Sequence, residues 1–210
     1  MALNDKKSDV RDAAMIALDE YFTGDDLIVY FKNAIHDSAY SVVETAIQAL
    51  SNRDKDGTML IASQLEGDQH PRIQRILSGL YSKSGSDAQF DYMKKTLMMS
   101  TGFASYTQIQ NFGKFLKNCN NHSNIDEGLK AIYDISKPSE EWITRLAAVQ
   151  SLVDLANFSD SQAKLAAKAA DPATENSWKD HISIASKYVD DLKKNETNEM
   201  LLKIYNSQKN

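Results

Sequence analysis

One ten-residue pattern recurs along this chain and limits the folds that the sequence can adopt. The segments DVRDAAMIAL (residues 9–18) and ITRLAAVQSL (143–152) share an arginine, two alanines and a closing leucine at the same positions. A third segment, SVVETAIQAL (41–50), fits the same frame with Val43 at the arginine position. Apolar residues recur in this frame every three or four positions, as they do on one face of an α-helix. The pattern therefore predicts several similar helices, each closed by a leucine.

The closing leucines lie 30 to 36 residues apart, which leaves room for one further helix between successive ones. They are Leu18, Leu50, Leu80, Leu116 and Leu152. We call the leucine-closed helices B helices and the intervening ones A helices. The A helices are predicted near 25–36, 56–66, 86–99 and 123–136. Repeat periods of this length indicate stacked helical hairpins. The sequence therefore predicts an all-α fold, an α-α superhelix built as a solenoid of antiparallel helical hairpins.

The repeat period divides the chain into five units and a C-terminal cap, which together form a single predicted domain of residues 1–210. The units are expected at about 1–24, 25–54, 55–85, 86–121 and 122–157, with capping helices in 158–210. A stacked array needs such a cap because its last apolar face would otherwise contact water. The cap helices are predicted near 159–170, 175–194 and 197–207. The first B helix begins near Ser8 without an A helix before it, so we expect the chain to be a fragment of a longer one.

Capping residues mark three helix starts. Ser86 with Gln89 and Ser159 with Gln162 fit the capping box, in which two side chains satisfy backbone N–H groups that the helix leaves unpaired. Ser139 is followed by two glutamates, which are favourable at the positive end of the helix dipole. Helices are therefore predicted to begin near residues 86, 139 and 159.

The segment STGFASYTQIQNFGKFLKN (100–118) is rich in aromatic residues and contains no carboxylate, histidine or thiol. Its apolar residues recur at steps that place them on one helical face. They are Phe103, Tyr106, Ile109, Phe112, Phe115 and Leu116. Such a stripe is more often core than an aromatic binding platform, so we predict that it is buried.

The two tryptophans are the side chains large enough to anchor an interface. Trp142 shares an apolar stripe with Leu146, Val149 and Val153, and its burial is therefore predicted. Trp178 falls in the C-terminal cap, where the repeat frame gives no comparable prediction.

The overall composition argues against several partners. A net charge of -5 and a pI near 5.4 disfavour nucleic acid, whose binding depends on clustered Lys and Arg. No apolar run approaches the roughly 18 to 20 residues of a membrane span, and residues 1–12 lack the apolar centre of a signal peptide. We expect no membrane contact, and the sequence does not indicate a compartment.

Cys119 is the only cysteine, so an internal disulfide is excluded and we expect an unreactive bystander thiol.

The residue types that carry catalysis or metal binding form no recognisable motif. None of the histidines is followed by the E-x-x-H that would place two imidazoles on one helical turn as zinc ligands; they are His36, His70, His122 and His181. His36 and His70 fall at predicted turns, where they are expected to be solvated or to cap a helix. Adjacent carboxylates on a helix point about 100° apart, so the acidic pairs do not converge on a substrate. These pairs are Asp25/Asp26, Glu140/Glu141 and Asp190/Asp191. The sequence therefore predicts no catalytic, cofactor-binding or metal-binding residue.

Arg11 and Arg145 occupy the same frame position, which allows two interpretations. A recurrent arginine could form an anion-binding ladder along the concave surface of a helical array. It could instead pair with an acidic side chain of the adjacent layer and join layers without contacting a ligand. We expect the second role.

The frame D-V-R-x-A-A-x-x-A-L resembles HEAT repeats, so the expected solenoid is HEAT-like. An ordered series of segments carries a more specific resemblance: DSAYSVVETAIQAL, YSKSGSDAQFDYMKKTL, STGFASYTQIQNFGKFLKN, WITRLAAVQSL and NETNEMLLKIY. Together they resemble the C-terminal helical-repeat region of M1-family zinc aminopeptidases, the aminopeptidase N-like enzymes, particularly the type found in Bacteroidota. The resemblance extends from Asp9 to Tyr205.

This resemblance implies a non-catalytic segment. In that family an upstream catalytic domain carries H-E-x-x-H, a distant glutamate as third zinc ligand and a G-x-M-E-N-type strand, and none of these motifs occurs here. Zinc is therefore expected in the catalytic domain of a parent chain, and no cofactor in this segment. The implied partners are that catalytic domain and, at the concave face, the peptide substrate. The implied role is to enclose the peptide chamber and limit which peptides enter it.

Two other functions are compatible with a helical repeat. A free-standing HEAT-like scaffold would grip another protein in its concave groove. A helical-repeat DNA-repair glycosylase would need a basic groove and a positioned carboxylate, and the acidic net charge disfavours it.

Overall fold

All regular structure in the described residues is helical. The computed structural model describes residues 2–138, 141–158 and 177–208, and no strand occurs in these ranges. The helices are α1 (Ser8–Tyr21), α2 (Ile28–Ala34), α3 (Tyr40–Arg53), α4 (Lys55–Gln64), α5 (Pro71–Ser84), α6 (Phe90–Met99), α7 (Phe103–Leu116), α8 (His122–Ile135), α9 (Trp142–Ala156), α10 (Ser177–Lys193) and α11 (Glu199–Tyr205). Short 3₁₀ turns occupy Ala2–Asn4, Asp25–Leu27 and Asp87–Gln89. The predicted all-α class is confirmed for the described residues.

The predicted helices are present, within a few residues of their expected ends. The B helices are α1, α3, α5, α7 and α9, and the A helices are α2, α4, α6 and α8. The cap helices expected near 175–194 and 197–207 are α10 and α11. The cap helix expected near 159–170 lies outside the described residues.

Several helices begin where side chains satisfy unpaired backbone N–H groups. The predicted capping box forms at Ser86, whose own N–H donates to Gln89 Oε1 at 3.0 Å. Asn121 before α8 and Asn198 before α11 each accept from the N–H groups two and three residues further on. The predicted starts at Ser139 and Ser159 fall outside the described residues.

The chain divides into two compact units, Met1–Leu80 and Tyr81–Asn210, which we call unit 1 and unit 2. In unit 1, α1 packs on α3, and α2 and α4 pack on α3 as well. Thr45 Oγ1 donates to Asp12 at 2.6 Å, and Arg53 donates to Asp19 about two turns further along both helices. The two pairs have nearly the same sequence offset, 33 and 34 residues, so α1 and α3 run parallel.

In unit 2 the two B helices α7 and α9 also run parallel, and they pack closely. The hydroxyls of Ser105 and Thr144 lie 2.7 Å apart near the starts of the two helices. Further along, a Cβ added at Gly113 would lie 3.0 Å from the Ser151 Cβ. The small residues at this crossing therefore set how closely the two helices approach.

Unit 2 has its core on the aromatic stripe of α7. Ile109, Phe112, Phe115 and Leu116 are almost fully buried, which confirms most of the predicted core stripe. Phe103 is an exception, because 76 % of its surface is exposed.

The predicted burial of Trp142 is wrong. Its indole is 43 % exposed, although the adjoining α9 residues Val149 and Val153 are buried as expected. Trp142 and Phe103 are each the first residue of a helix. Helical periodicity gives a side chain's direction around the axis but not whether a neighbour covers that end of the helix, so the pattern could not exclude exposure.

The C-terminal helices α10 and α11 both pack against α9. Trp178 of α10 is buried, and its ring meets that of Phe158 edge-on, with 4.7 Å between the centroids. No helix in the described part of the chain combines the length and apolarity needed to cross a membrane.

Candidate interaction surface

Arg11 is held in a two-pronged ion pair within unit 1. Its Nε and Nη2 donate to the two carboxylate oxygens of Asp37 at 2.7 and 2.6 Å, and its Nη1 donates to the backbone oxygen of Asp5 at 2.8 Å. The hydrogen bond from Arg11 lowers the pKa of Asp37, and the same bond raises the pKa of Arg11. Arg11 therefore joins the turn before α1 to the turn after α2.

Arg145 does the same at the matching position of unit 2. Its Nε donates to the backbone oxygen of Ser136 at 3.0 Å, in the turn region before α9, and its Nη2 donates to Glu196, in the turn after α10. Both side chains of this ion pair are largely buried. The predicted structural pairing of Arg11 and Arg145 with acidic side chains is confirmed, and neither guanidinium is free to form an anion-binding ladder.

Cys119 and the two turn histidines lie as expected. The Cys119 thiol is buried, and burial raises its pKa well above its usual range, so the thiol stays protonated. His36 is exposed. His70 is exposed too, and its Nδ1 accepts from the Arg72 N–H at 3.2 Å, in the first turn of α5.

A contact between a buried histidine and an exposed carboxylate was not predicted. His181 of α10 is 2 % exposed, and its Nδ1 lies 2.8 Å from Asp126 Oδ1 of α8. Burial lowers the pKa of His181, and the neighbouring Asp126 opposes that shift. Its Nε2 has no hydrogen-bond partner among the described residues, so nothing there accepts or supplies a proton.

A metal site needs several ligating side chains close together. In these ranges no three His, Cys, Asp or Glu side chains are grouped so that they could hold a metal ion. Unit 1 has a cavity of about 570 Å³ beside α1 and α2, lined in part by Met15, Tyr30 and Asp37. Because Arg11 occupies both oxygens of Asp37, the carboxylate on the cavity wall is already paired.

An exposed apolar surface of unit 2 lies where α6 ends and where α7 and α9 begin. We call it the aromatic edge: Met98, Met99, Phe103, Tyr106 and Trp142. All are exposed except Tyr106, which is half-buried and whose ring lies 6.5 Å from that of Phe103. Ser105 and Thr144, each two residues into its helix, are hydrogen-bonded, so the starts of α7 and α9 lie side by side. Parallel helices in contact are about 8 to 10 Å apart, so Phe103 and Trp142 are close enough to contact one ligand.

A polar network adjoins the aromatic edge. The Tyr106 hydroxyl donates to Gln150 Oε1 at 3.0 Å, and Gln110 Nε2 donates to the same oxygen at 3.1 Å. Gln110 Nε2 also donates to the backbone oxygen of Ala147 at 3.3 Å. These bonds fix which end of each amide is oxygen and which is nitrogen.

The sequence contains a regularity that could have indicated two members of the aromatic edge, Tyr106 and Trp142. An aromatic ring stands ten residues before four of the five closing leucines, at or near the start of a B helix. These rings are Tyr40, His70, Tyr106 and Trp142. In unit 1, the rings of Tyr40 and His70 stack with 3.7 Å between their centroids. A core pattern does not require rings at this position, so their recurrence points to a surface role.

Comparison with known proteins yields no family: no protein-family model matches this sequence, and no curated protein matches it.

Proposed function

We propose that this chain is a non-catalytic, HEAT-like helical-repeat module that binds protein. Its specific role would be that of the C-terminal region of an M1-type zinc aminopeptidase, which packs on the catalytic domain and restricts access to the peptide chamber. The ordered segments from Asp9 to Tyr205 support the aminopeptidase part of this proposal. The observation that carries the binding role is the aromatic edge, where Phe103 and Trp142 are exposed on adjacent helices.

The energetics of exposed rings support a binding role. Aromatic side chains supply much of the binding energy at protein interfaces, especially where several lie together. Singly exposed apolar residues need no explanation, but Met98, Met99, Phe103 and Trp142 all lie at the ends of helices that pack in sequence, α6 on α7 and α7 on α9. Their apolar area would be removed from water if a partner covered this surface.

The paired arginines support the repeat architecture. Arg11 and Arg145 stand at the same frame position, and each ties the turn region before its own B helix to an acidic residue in a later turn, Asp37 after α2 and Glu196 after α10. A recurrent contact between neighbouring helical hairpins is expected where stability comes from nearest-neighbour interfaces, as in stacked repeats. A HEAT-like array is the arrangement that best accounts for it.

The proposal predicts that the isolated chain is inert. Purified alone, it should contain no stoichiometric zinc and should release no amino acid from aminoacyl reporter substrates. Metal content by mass spectrometry and a fluorogenic hydrolysis assay would measure both. Turnover that persists through repurification and disappears on chelation would contradict the proposal.

A free-standing protein-binding scaffold is the second candidate, and the aromatic edge favours it equally. The encoding gene separates the two candidates. A reading frame that continues upstream through an H-E-x-x-H motif supports the aminopeptidase role, whereas one that starts at Met1 supports the scaffold.

A further inference from the structure

The network beside the aromatic edge leaves two amide atoms without partners in the described residues. Gln150 Oε1 accepts two hydrogen bonds and Gln110 Nε2 donates two, as described above. What remains is the Gln110 oxygen, which can accept, and the Gln150 nitrogen, which can donate. The bonded ends of the two amides, Gln110 Nε2 and Gln150 Oε1, are 3.1 Å apart. The two free ends therefore belong to the same contact between α7 and α9.

A peptide unit carries the complementary groups, one donor and one acceptor. A backbone N–H could donate to Gln110 Oε1 while a backbone C=O accepted from Gln150 Nε2. A helical partner could not do this, because its N–H and C=O groups are already paired within the helix. The pair therefore selects for an extended segment of polypeptide.

The distance along α7 from the ring of Phe103 to Gln110 suits one extended peptide that contacts both. Phe103, Tyr106 and Gln110 are spaced i, i+3 and i+7, so they share one face of α7. Seven helical residues rise about 10 Å, and an extended peptide covers that distance with about three residues. If an apolar side chain of the peptide contacts Phe103 and Trp142, the peptide's backbone amide about three residues further along would thus lie at Gln110 and Gln150.

The geometry points to a peptide-binding site on α7 and α9 of unit 2. It takes an extended segment with one large apolar side chain, which Phe103 and Trp142 contact, and it bonds the segment's backbone through Gln110 and Gln150. This inference rests on the proposed protein-binding function and names the chemistry of the partner.

Unit 1 provides a contrast at the matching frame positions. At the positions that match Gln110 and Gln150 on successive B helices, α1 and α3 have Asp12 and Gln48, and α3 and α5 have Glu44 and Ser78. Glu44 accepts from Arg75 Nη2 at 3.0 Å and lies 3.5 Å from an Arg72 nitrogen. Unit 1 therefore has rings without the amide pair, and Gln48 serves as a matched control.

A selection followed by titration tests the site. A displayed library of random dodecapeptides is selected on the immobilised full chain, and an enriched peptide is synthesised with acetylated and amidated ends. Its dissociation constant is then measured by fluorescence anisotropy for the wild type and the variants. We expect enrichment of peptides with a large apolar residue.

The Gln150→Glu variant addresses the hydrogen bond specifically. It keeps the oxygen that accepts from Tyr106 and Gln110 but replaces the free donor by a negatively charged acceptor. We expect binding to weaken by about tenfold or more, whereas Gln48→Glu, with the same charge change, leaves it unaltered. Phe103→Ser should also weaken binding, and Leu60→Ser, at an exposed leucine of unit 1, should not.

An N-methyl scan of the peptide repeats the test on the unmodified protein. Methylating the amide about three residues from the apolar side chain should abolish binding, because the N–H that donates to Gln110 is lost. The site is refuted if no peptide is enriched, if Gln150→Glu and Gln48→Glu weaken binding equally, or if every N-methylated peptide still binds. The proposed protein-binding function is tested separately, by a photo-crosslinking amino acid placed at position 103. If that residue captures a folded partner domain while no peptide is enriched, the peptide site is refuted and the protein-binding function stands.

Discussion

His181 makes the stability of unit 2 depend on pH. The ring is buried beside Asp126, with His122 and Asp180 as its other charged or titratable neighbours, and burial lowers its pKa. In the unfolded chain the pKa of a histidine is near 6.5. As the pH falls, the unfolded chain therefore binds a proton at this residue before the folded chain does. We predict that the free energy of unfolding falls as pH decreases from about 7 through 6.5.

Denaturant unfolding at several pH values between 7.5 and 5.5 measures this dependence. His181→Phe keeps an aromatic ring but removes the titrating group, so its unfolding free energy should vary less with pH. His36→Gln removes an exposed histidine and should retain the parent slope. An unchanged slope in His181→Phe would show that the buried ring does not cause the effect.

The ion pair between Arg145 and Glu196 should contribute strongly to stability. Glu196 also accepts from the N–H groups of Thr197 and Asn198, at 3.0 and 2.8 Å, so its carboxylate is fixed in place. Arg145→Met would leave this buried carboxylate without its cation, and we predict a loss of about 3 kcal/mol in the free energy of unfolding.

The matched control is Lys94→Met, whose ion pair with Glu127 is more exposed. It should cost less than about 1 kcal/mol, because solvent screens exposed pairs. Thermal unfolding followed by circular dichroism compares the two variants. If both variants lose the same free energy of unfolding, the ion pair between Arg145 and Glu196 stabilises the fold no more than an exposed ion pair does.

At the residue scale, sequence reasoning worked where a position repeats. The roles of Arg11 and Arg145 followed from their common frame position, and the inert Cys119 followed from its isolation in the sequence. The contact of His181 with Asp126 could not be predicted, because the two residues are 55 positions apart on helices with no shared motif. Exposure of Trp142 was missed because periodicity does not report which helix ends are covered.

At the scale of helices, close packing depends on glycines at particular crossings. A Cβ added at Gly128 of α8 would lie 2.4 and 2.8 Å from the two methyl carbons of Leu116, which is fully buried. Gly128→Ala should therefore displace a packed core side chain and cost about 1 to 3 kcal/mol.

Gly79→Ala is the control for this substitution. Gly79 lies inside α5 and an added Cβ would meet nothing within 4 Å. Its replacement should leave stability unchanged or raise it by up to about 1 kcal/mol, since alanine favours helix. Chemical unfolding of both variants tests the contrast, and a stabilising Gly128→Ala would contradict the packing described for α7 and α8.

The helices themselves were largely predictable. Spacing of apolar residues located α1 to α9, and the Ser86 capping box located the start of the segment that leads into α6. What periodicity could not supply was the register between α7 and α9. That register depends on particular small and polar contacts, such as Gly113 on Ser151 and Ser105 on Thr144.

At the scale of the whole chain, the leucine period predicted the alternation of A and B helices, and the parallel B helices within each unit agree with it. The aromatic edge was not predicted, because its members come from three helix ends and only Tyr106 and Trp142 of them share a frame position. Its position underlies the central proposal, that this chain presents a surface of unit 2 to another polypeptide.

Site-specific photo-crosslinking tests that claim most directly. A benzophenone amino acid replaces Phe103 in one variant and Leu60, which is 66 % exposed in unit 1, in another. After irradiation in the producing cell, the account predicts a crosslinked protein segment at position 103, several-fold above position 60, that is lost in a Trp142→Ser background. Equal crosslinking at the two positions, or none at position 103, would contradict it.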